Sequence, residues 1–286
     1  MRIRQQEEAP EAPAGISLLM ILGFYLLDGP ASVWQEALVV ALQRLGYTGH
    51  AARQAIARST RSGLLTAERC GRRARMSLTP SGLALLRDGG QRLFAFGEPW
   101  PWDGSWLLLN VRVPETQRDV RQRLRKRLGW VGFGSLGNGV WLTPHLDRES
   151  ELAALLADEP AAQAWTFRAR HGELGDLDQL VQQAWDIDAM VASYESFIGE
   201  FGPLRPTTDD GCFVALTSML TRWRAFPFVD PDLPASLLPK GWLRERAYTL
   251  FHDRRDRWVE QARRYVASCE PVDDAKRVLA PARGAL

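Results

Sequence analysis

Apolar residues in the first hundred positions recur at helical spacing in three successive segments and then switch to a period of two. Ile16–Leu27 is apolar almost throughout and reads as a buried helix stopped by Asp28-Gly29-Pro30. Ser32–Leu45 repeats Val33, Ala37, Val40, Ala41 and Leu45, with Ser32 placed as its N-cap and Gly46-Tyr47 as its end. Thr48 is the expected cap of a third helix, Gly49–Ser62. The wheel of that helix is divided. Ala52, Ala55, Ile56 and Ser59 form a small-residue packing side, whereas His50, Gln54, Arg58 and Arg61 fall opposite, with Arg53 flanking them. Gly63–Thr66 and Ala74–Leu78 then read as two strands around the turn Cys70-Gly71-Arg72-Arg73, before Thr79-Pro80 opens another helix.

The pattern after residue 100 alternates between strand and helix. Trp106–Val113 is an apolar strand, and Pro114–Leu128 a helix with Pro at its start and Glu115 in its first turn. Trp130–Ser135 and Gly139–Thr143 are strands joined by Leu-Gly-Asn-Gly, Glu149–Asp158 is a helix and Gln163–Arg170 a fourth strand. The order βαββαβ is the ferredoxin-like one. Leu177–Glu200, Gly211–Arg224 and Leu243–Val266 read as helices. Between the last two lies a stretch with Pro at 227, 231, 234 and 239, which forbids helix and stiffens the chain. These elements predict an α+β protein in three parts: a helix-turn-helix with a β-hairpin at 15–97, a ferredoxin-like part at 103–172 and a helical part at 176–270. Disordered tails are expected at 1–14 and 271–286.

Charge sharpens this division. The net charge of the 286 residues is only +2. Residues 1–97 hold twelve Arg against seven Asp or Glu, a local +5, so the remainder sums to −3. A basic N-terminal module on a slightly acidic body suits contact with nucleic acid. A helix with a packing face and a face of long donors is what a recognition helix needs, so His50, Arg53, Gln54, Arg58 and Arg61 are the candidates for groove contacts. The hairpin behind it carries Arg69, Arg72, Arg73 and Arg75 against the lone Glu68, a self-repelling cluster that a phosphate backbone would relieve. By contrast, Arg118, Arg121, Arg123, Arg125, Lys126 and Arg127 circle their helix and read as a solvated or salt-bridged face.

Other chemistry is thin. Three dispersed Cys give no disulfide framework or metal motif, and a reducing cytoplasm fits them. The Ile16–Leu27 run is too short to span a bilayer, and Glu7, Glu8 and Glu11 separate it from Arg2 and Arg4, unlike a signal peptide. There is no P-loop, dinucleotide glycine motif or nucleophile elbow, and Asp186 and Asp188 at i, i+2 point apart, so neither catalytic residues nor a cofactor are expected. His145 and His171 are isolated and read as structural. Arg222, Trp223, Arg224 and Trp242 flank the proline-rich stretch and are candidates to grip an anionic aromatic ligand through charge and stacking.

Three blocks carry a family resemblance: GYTGHAARQAIARSTRSGLLTAERCGRRARMSLTPSGLALL, then SWLLLNVRVPETQRDVRQRLRKRLGWVGFGSLGNGVWLTPH over 105–145, then RAFPFVDPDLPASLLPKGWL over 224–243. In this order they resemble the PaaX-type repressors, regulators of phenylacetic acid degradation operons. The resemblance implies a homodimer on a palindromic double-stranded DNA operator, released by an aryl-CoA thioester, typically phenylacetyl-CoA. It places the recognition helix at His50–Ser62 and the wing at Leu64–Leu78. In that family the middle part looks like Cas2 proteins, some of which are metal-dependent nucleases, which offers an alternative function. Such chemistry needs a carboxylate at the end of the first strand. This sequence has Asn110 and Arg112 there, so a metal site is disfavoured.

Overall fold

The computed structural model describes residues 12–27 and 32–271. The expected tail residues 1–11 and 272–286, and the Asp28-Gly29-Pro30 break, lie outside them. In chain order the elements are α1 (Ala14–Ile21), β1 (Val33–Trp34), α2 (Gln35–Arg44), α3 (Gly49–Arg61), β2 (Leu65–Cys70), β3 (Arg73–Leu78), α4 (Pro80–Ala95) and β4 (Ser105–Arg112). There follow α5 (Arg118–Trp130), β5 (Gly134–Gly137), β6 (Val140–Thr143), α6 (Glu149–Ala157), β7 (Gln163–Arg170), α7 (Leu177–Ala184), α8 (Ile187–Phe201), α9 (Asp209–Trp223) and α10 (Leu243–Ser268). The protein is thus mixed α+β with two antiparallel sheets, of order β1-β3-β2 and β5-β6-β4-β7.

The chain divides into two units, neither continuous in sequence. The first takes 1–95, 200–224 and 249–286; the second takes 96–199 and 225–248. The stretch 176–270, expected as one helical part, is therefore shared between them.

In the first unit α1 packs on α2, α3 and α9, continuing into a π-helical turn at Leu22–Leu26. Its core sets Leu18, Ile21, Leu22, Leu38, Leu42 and Ile56 from the N-terminal segment beside Phe213, Trp223 and Phe251, all fully buried. Trp223 stacks on Phe251 with centroids 4.6 Å apart and donates its indole N–H to the Leu93 carbonyl at 3.0 Å. Tyr25 meets the Thr217 hydroxyl at 3.2 Å, and burial drives its phenol pKa up. Ser32 does not cap α2 as expected. Val33 and Trp34 are extended and pair with Met76 and Arg75, so the helix begins only at Gln35. A buried β-branched and aromatic pair fits a pleated surface better than a first helical turn.

In the second unit the side chains of β4 alternate between two cores. Leu107, Leu109 and Val111 pack with Leu124, Leu128, Leu152 and Leu155 of α5 and α6. Trp106 joins Leu142, Val181, Trp185, Ile187 and Met190, together with Leu233 and Leu237 of the proline-rich stretch. Three sequence expectations need correction here. Pro114–Gln117 forms a turn, with the Gln117 N–H on the Pro114 carbonyl at 3.0 Å, and α5 starts at Arg118. Trp130 ends that helix and does not begin a strand. Gly132 at φ 85° closes a Schellman motif, with Phe133 N–H on the Leu128 carbonyl and Gly132 N–H on the Gly129 carbonyl. The single helix expected at Leu177–Glu200 is broken at Trp185, which leaves the helical conformation to enter the core, and the Asp186 carboxylate then caps α8 through Ala189 N–H at 3.0 Å.

The proline-rich stretch is tied down by buried charge. Asp230 accepts the Tyr194 hydroxyl at 2.6 Å, with the Arg244 Nε at 3.2 Å, and Arg244 also binds the Asp232 carboxylate. His145 meets the Pro231 and Asp232 carbonyls at 2.9 and 3.1 Å, so its Nε2 carries the proton.

Candidate nucleic-acid interface

Helix α3 begins where the sequence puts it because the Thr48 hydroxyl accepts the Ala51 N–H at 3.2 Å. Its packing side is the predicted one, with Ala52, Ala55, Ile56 and Ser59 buried. His50, Arg53, Gln54, Arg58 and Arg61 are all exposed on the remaining surface. The Gln54 amide lies 2.8 Å from the His50 Nε2, and the Arg61 Nε reaches the Ala57 carbonyl at 3.4 Å.

The β2–β3 hairpin turns through Gly71-Arg72, with Cys70 opposite Arg73 and Gly71 at φ 65°. A two-residue loop with glycine first in the left-handed region matches the strand twist without steric cost. Arg69, Arg72 and Arg73 are exposed at this tip, and Arg75 is half-buried. The guanidinium of Arg75 lies over the Trp34 ring at 4.6 Å and donates to the Ser32 hydroxyl at 2.9 Å, while Glu68 is its cross-strand neighbour. Arg73 sits farther over the same ring, at 5.8 Å. Trp34 thus anchors the hairpin, a role hidden in the sequence because β1 needs a partner about forty residues on.

The base of the hairpin is clamped to α4. Thr79 donates its hydroxyl to the Gly63 carbonyl and accepts the Gly82 N–H at 3.0 Å, and the Thr79 N–H reaches the Leu64 carbonyl at 3.1 Å. The distribution of counter-charge separates the arginines. Arg44, at the end of α2, is held by Asp210 at 2.8 Å, and hydrogen bonding from Thr208, then Arg44, draws that carboxyl down to about 2. Among the described residues, Arg53, Arg58, Arg69 and Arg72 have no acidic partner. Cations left unpaired on one helix face and one hairpin tip are suited to a polyanion.

The other sequence candidates are dispersed. Arg222, Trp223 and Arg224 belong to the first unit and Trp242 to the second. Trp223 is an interior residue, and Arg222 pairs with Glu200 at 3.4 Å. Asn110 sits on β4 opposite Val140 and Trp165. Among the described residues, no three His, Cys, Asp or Glu gather closely enough to hold a metal, and no helix is long and apolar enough to cross a membrane.

Set beside known proteins, the chain matches three family models in succession: PaaX-like protein over 16–82, PaaX protein central Cas2-like domain over 99–181, and PaaX-like protein C-terminal domain over 185–268. The three models follow one another in chain order and together span most of residues 16–268. The chain belongs to the PaaX family. It is 29% identical over 242 residues to a protein of Escherichia coli K12 described as transcriptional repressor PaaX, covering 80% of this chain and 75% of that protein. Among solved structures it is similar to the uncharacterized protein Rv0674 from Mycobacterium tuberculosis, with a TM-score of 0.60 and 24% identity over 89% of this chain and 98% of that one.

Proposed function

We propose that this protein is a DNA-binding transcriptional repressor. In this reading α2 and α3 are a helix-turn-helix, α3 is its recognition helix and the β2–β3 hairpin is the wing. The observation that carries it is the set of exposed, acid-free arginines on α3 and the hairpin tip, Arg53 and Arg58 with Arg69 and Arg72. Arg53, Gln54, Arg58 and Arg61, with His50, contact base edges. Arg69, Arg72 and Arg73 meet phosphates, and Arg75 holds the wing in place through Trp34. The second sheet, of order β5-β6-β4-β7, is the ferredoxin-like, Cas2-like part. The repressor acts in the cytoplasm as a homodimer on a palindromic operator of a phenylacetate-type catabolic operon. An aryl-CoA thioester such as phenylacetyl-CoA releases it, and of the sequence candidates Arg222 and Arg224 in the first unit are the cations offered to that anion, Trp223 being a core residue and Trp242 belonging to the other unit.

The test is fluorescence anisotropy of a labelled duplex from upstream of the gene, with random DNA as competitor, at two salt concentrations and with or without phenylacetyl-CoA. The expected result is selective binding that the thioester weakens. Arg58→Ala should cost about 1–3 kcal/mol on operator and relax sequence preference. Arg72→Ala should weaken operator and random DNA alike and reduce the salt slope by about one. Tight binding to both DNAs by a triple Arg69, Arg72 and Arg73 to Ala variant would remove the wing assignment. Selective binding indifferent to the thioester would keep the repressor and remove the effector.

A further inference from the structure

Strand β7 ends its sheet. It pairs with β4 over eight residues, and among the described residues no strand lies on its other side. Two large aromatics on it are open to solvent, Trp165 at 49% and Phe167 at 54% exposure. The register puts them on one face, since Phe167 is opposite Leu108 and Trp165 opposite Asn110 on β4. A long, regular edge with exposed aromatics invites another strand, and proteins that keep such an edge free blunt it with proline, bulges or inward charge. Here β7 has neither proline nor a register shift against β4.

We propose that this edge is the homodimer interface, with β7 of one copy pairing antiparallel to β7 of a second about a two-fold axis at Thr166. The proposal rests on the dimeric repressor reading and supplies its contact surface. A two-fold axis perpendicular to the sheet keeps side-chain faces matched only when a residue lies on it, because a one-residue slip inverts every face. Centred on Thr166, Trp165 of each copy comes opposite Phe167 of the other, giving two aromatic cross-strand pairs on one face. Centred on Phe167, Trp165 would face Ala169. Centred on Arg168, two cations would collide. In the chosen register Arg168 faces Ala164, and no like charges are opposed.

Charge also selects a second copy over an acidic peptide or a nucleic-acid backbone. Arg168 is held by Glu149 at 3.1 Å, and Arg170 by Asp103 at 3.4 Å. Glu149 also accepts the Thr166 hydroxyl at 2.9 Å. The edge therefore brings its own counter-charges to the axis, and a neutral, self-complementary partner fits where a polyanion would find these arginines already engaged. Gln163 to Ala169 of each copy are paired in this register, an edge of about 24 Å at ~3.4 Å per residue.

Full-length protein carrying Cys70→Ser and Cys269→Ser, which removes the exposed and the half-exposed thiol while Cys212 stays buried, is the background for the test. Thr166→Cys should form an intermolecular disulfide under mild oxidation, seen on non-reducing gels. Arg168→Cys should not, because its two copies lie about 14 Å apart along the strands, beyond disulfide reach. Independently, Phe167→Lys, at an exposed position, should raise the dimer dissociation constant at least about tenfold by sedimentation while a native circular-dichroism spectrum shows the protomer fold intact. A parent that sediments as a dimer, with no preferential cross-link at 166 and no effect of Phe167→Lys, would overturn this interface while leaving the dimer. A parent that is monomeric at all concentrations would overturn both, and DNA binding by that monomer would leave the repressor reading standing.

Discussion

Gly82 is the third residue of α4, a position where alanine normally adds helix stability of about 0.5–1 kcal/mol. Its surroundings reverse the sign. A Cβ there would overlap the Leu64 carbonyl oxygen, which the Thr79 N–H already uses as an acceptor. Gly82→Ala should therefore destabilise the protein by about 2 kcal/mol in urea titration, since a backbone clash cannot be relieved by a rotamer change. A second residue-scale effect concerns acid. Burial, then the Arg148 cation, pushes His145 from 6.5 down to about 4. Burial pushes Asp232 from 3.8 up to about 6 against the pull of Arg244. His145 stability is present above 6.5 and lost as pH falls toward 4. The Asp232 contribution is present below 3.8 and lost as pH rises toward 6. The two oppose each other in one window. Melting temperatures from pH 4 to 6.5 should fall with rising pH in His145→Gln and fall with falling pH in Asp232→Asn, with the parent flatter than either.

At the scale of elements, the hairpin separates two kinds of arginine that look alike in sequence. Arg75→Ala removes a cation over Trp34 and a hydrogen bond to Ser32, so it should lower stability by about 1 kcal/mol. Arg72→Ala should leave the melting temperature unchanged, because none of the described residues holds that side chain. Thermal melts of the two variants in parallel would decide this, and equal stability would remove the anchoring role of Trp34. The sequence carried the period of α3, the Thr48 cap and the Gly71 turn, because each depends on residues a few positions apart. It did not carry β1 or the break before α8. Both Trp34 and Trp185 are drawn out of helical patterns by partners distant in the chain, and local periodicity holds no record of such partners. Among the candidate residues, the exposed face of α3 was legible as the complement of its packing side. The interior position of Trp223 was not, since a tryptophan between two arginines resembles a surface grip until its core partners are known.

For the whole molecule, the decisive contacts join opposite ends of the chain. Trp223→Ala would empty a fully buried site against Phe251, and should cost about 3–5 kcal/mol in chemical denaturation. Loss of that size in protein never exposed to a ligand would mark the residue as a core element first. The first unit needs 200–224 and 249–270 as much as its own N-terminal helices: Phe213 packs beside Tyr25, and the Trp34 N–H is bonded to the Glu270 carboxylate at 3.1 Å. A fragment ending at residue 97 should therefore be insoluble or molten by near-ultraviolet dichroism, although it contains every residue proposed to touch DNA. On the ribosome, the same arrangement means that the N-terminal helices emerge first and wait. Their apolar side has no covering until synthesis has passed α10, so nascent chains stalled short of that helix should be captured by chaperones, and completion of the last helix should release them.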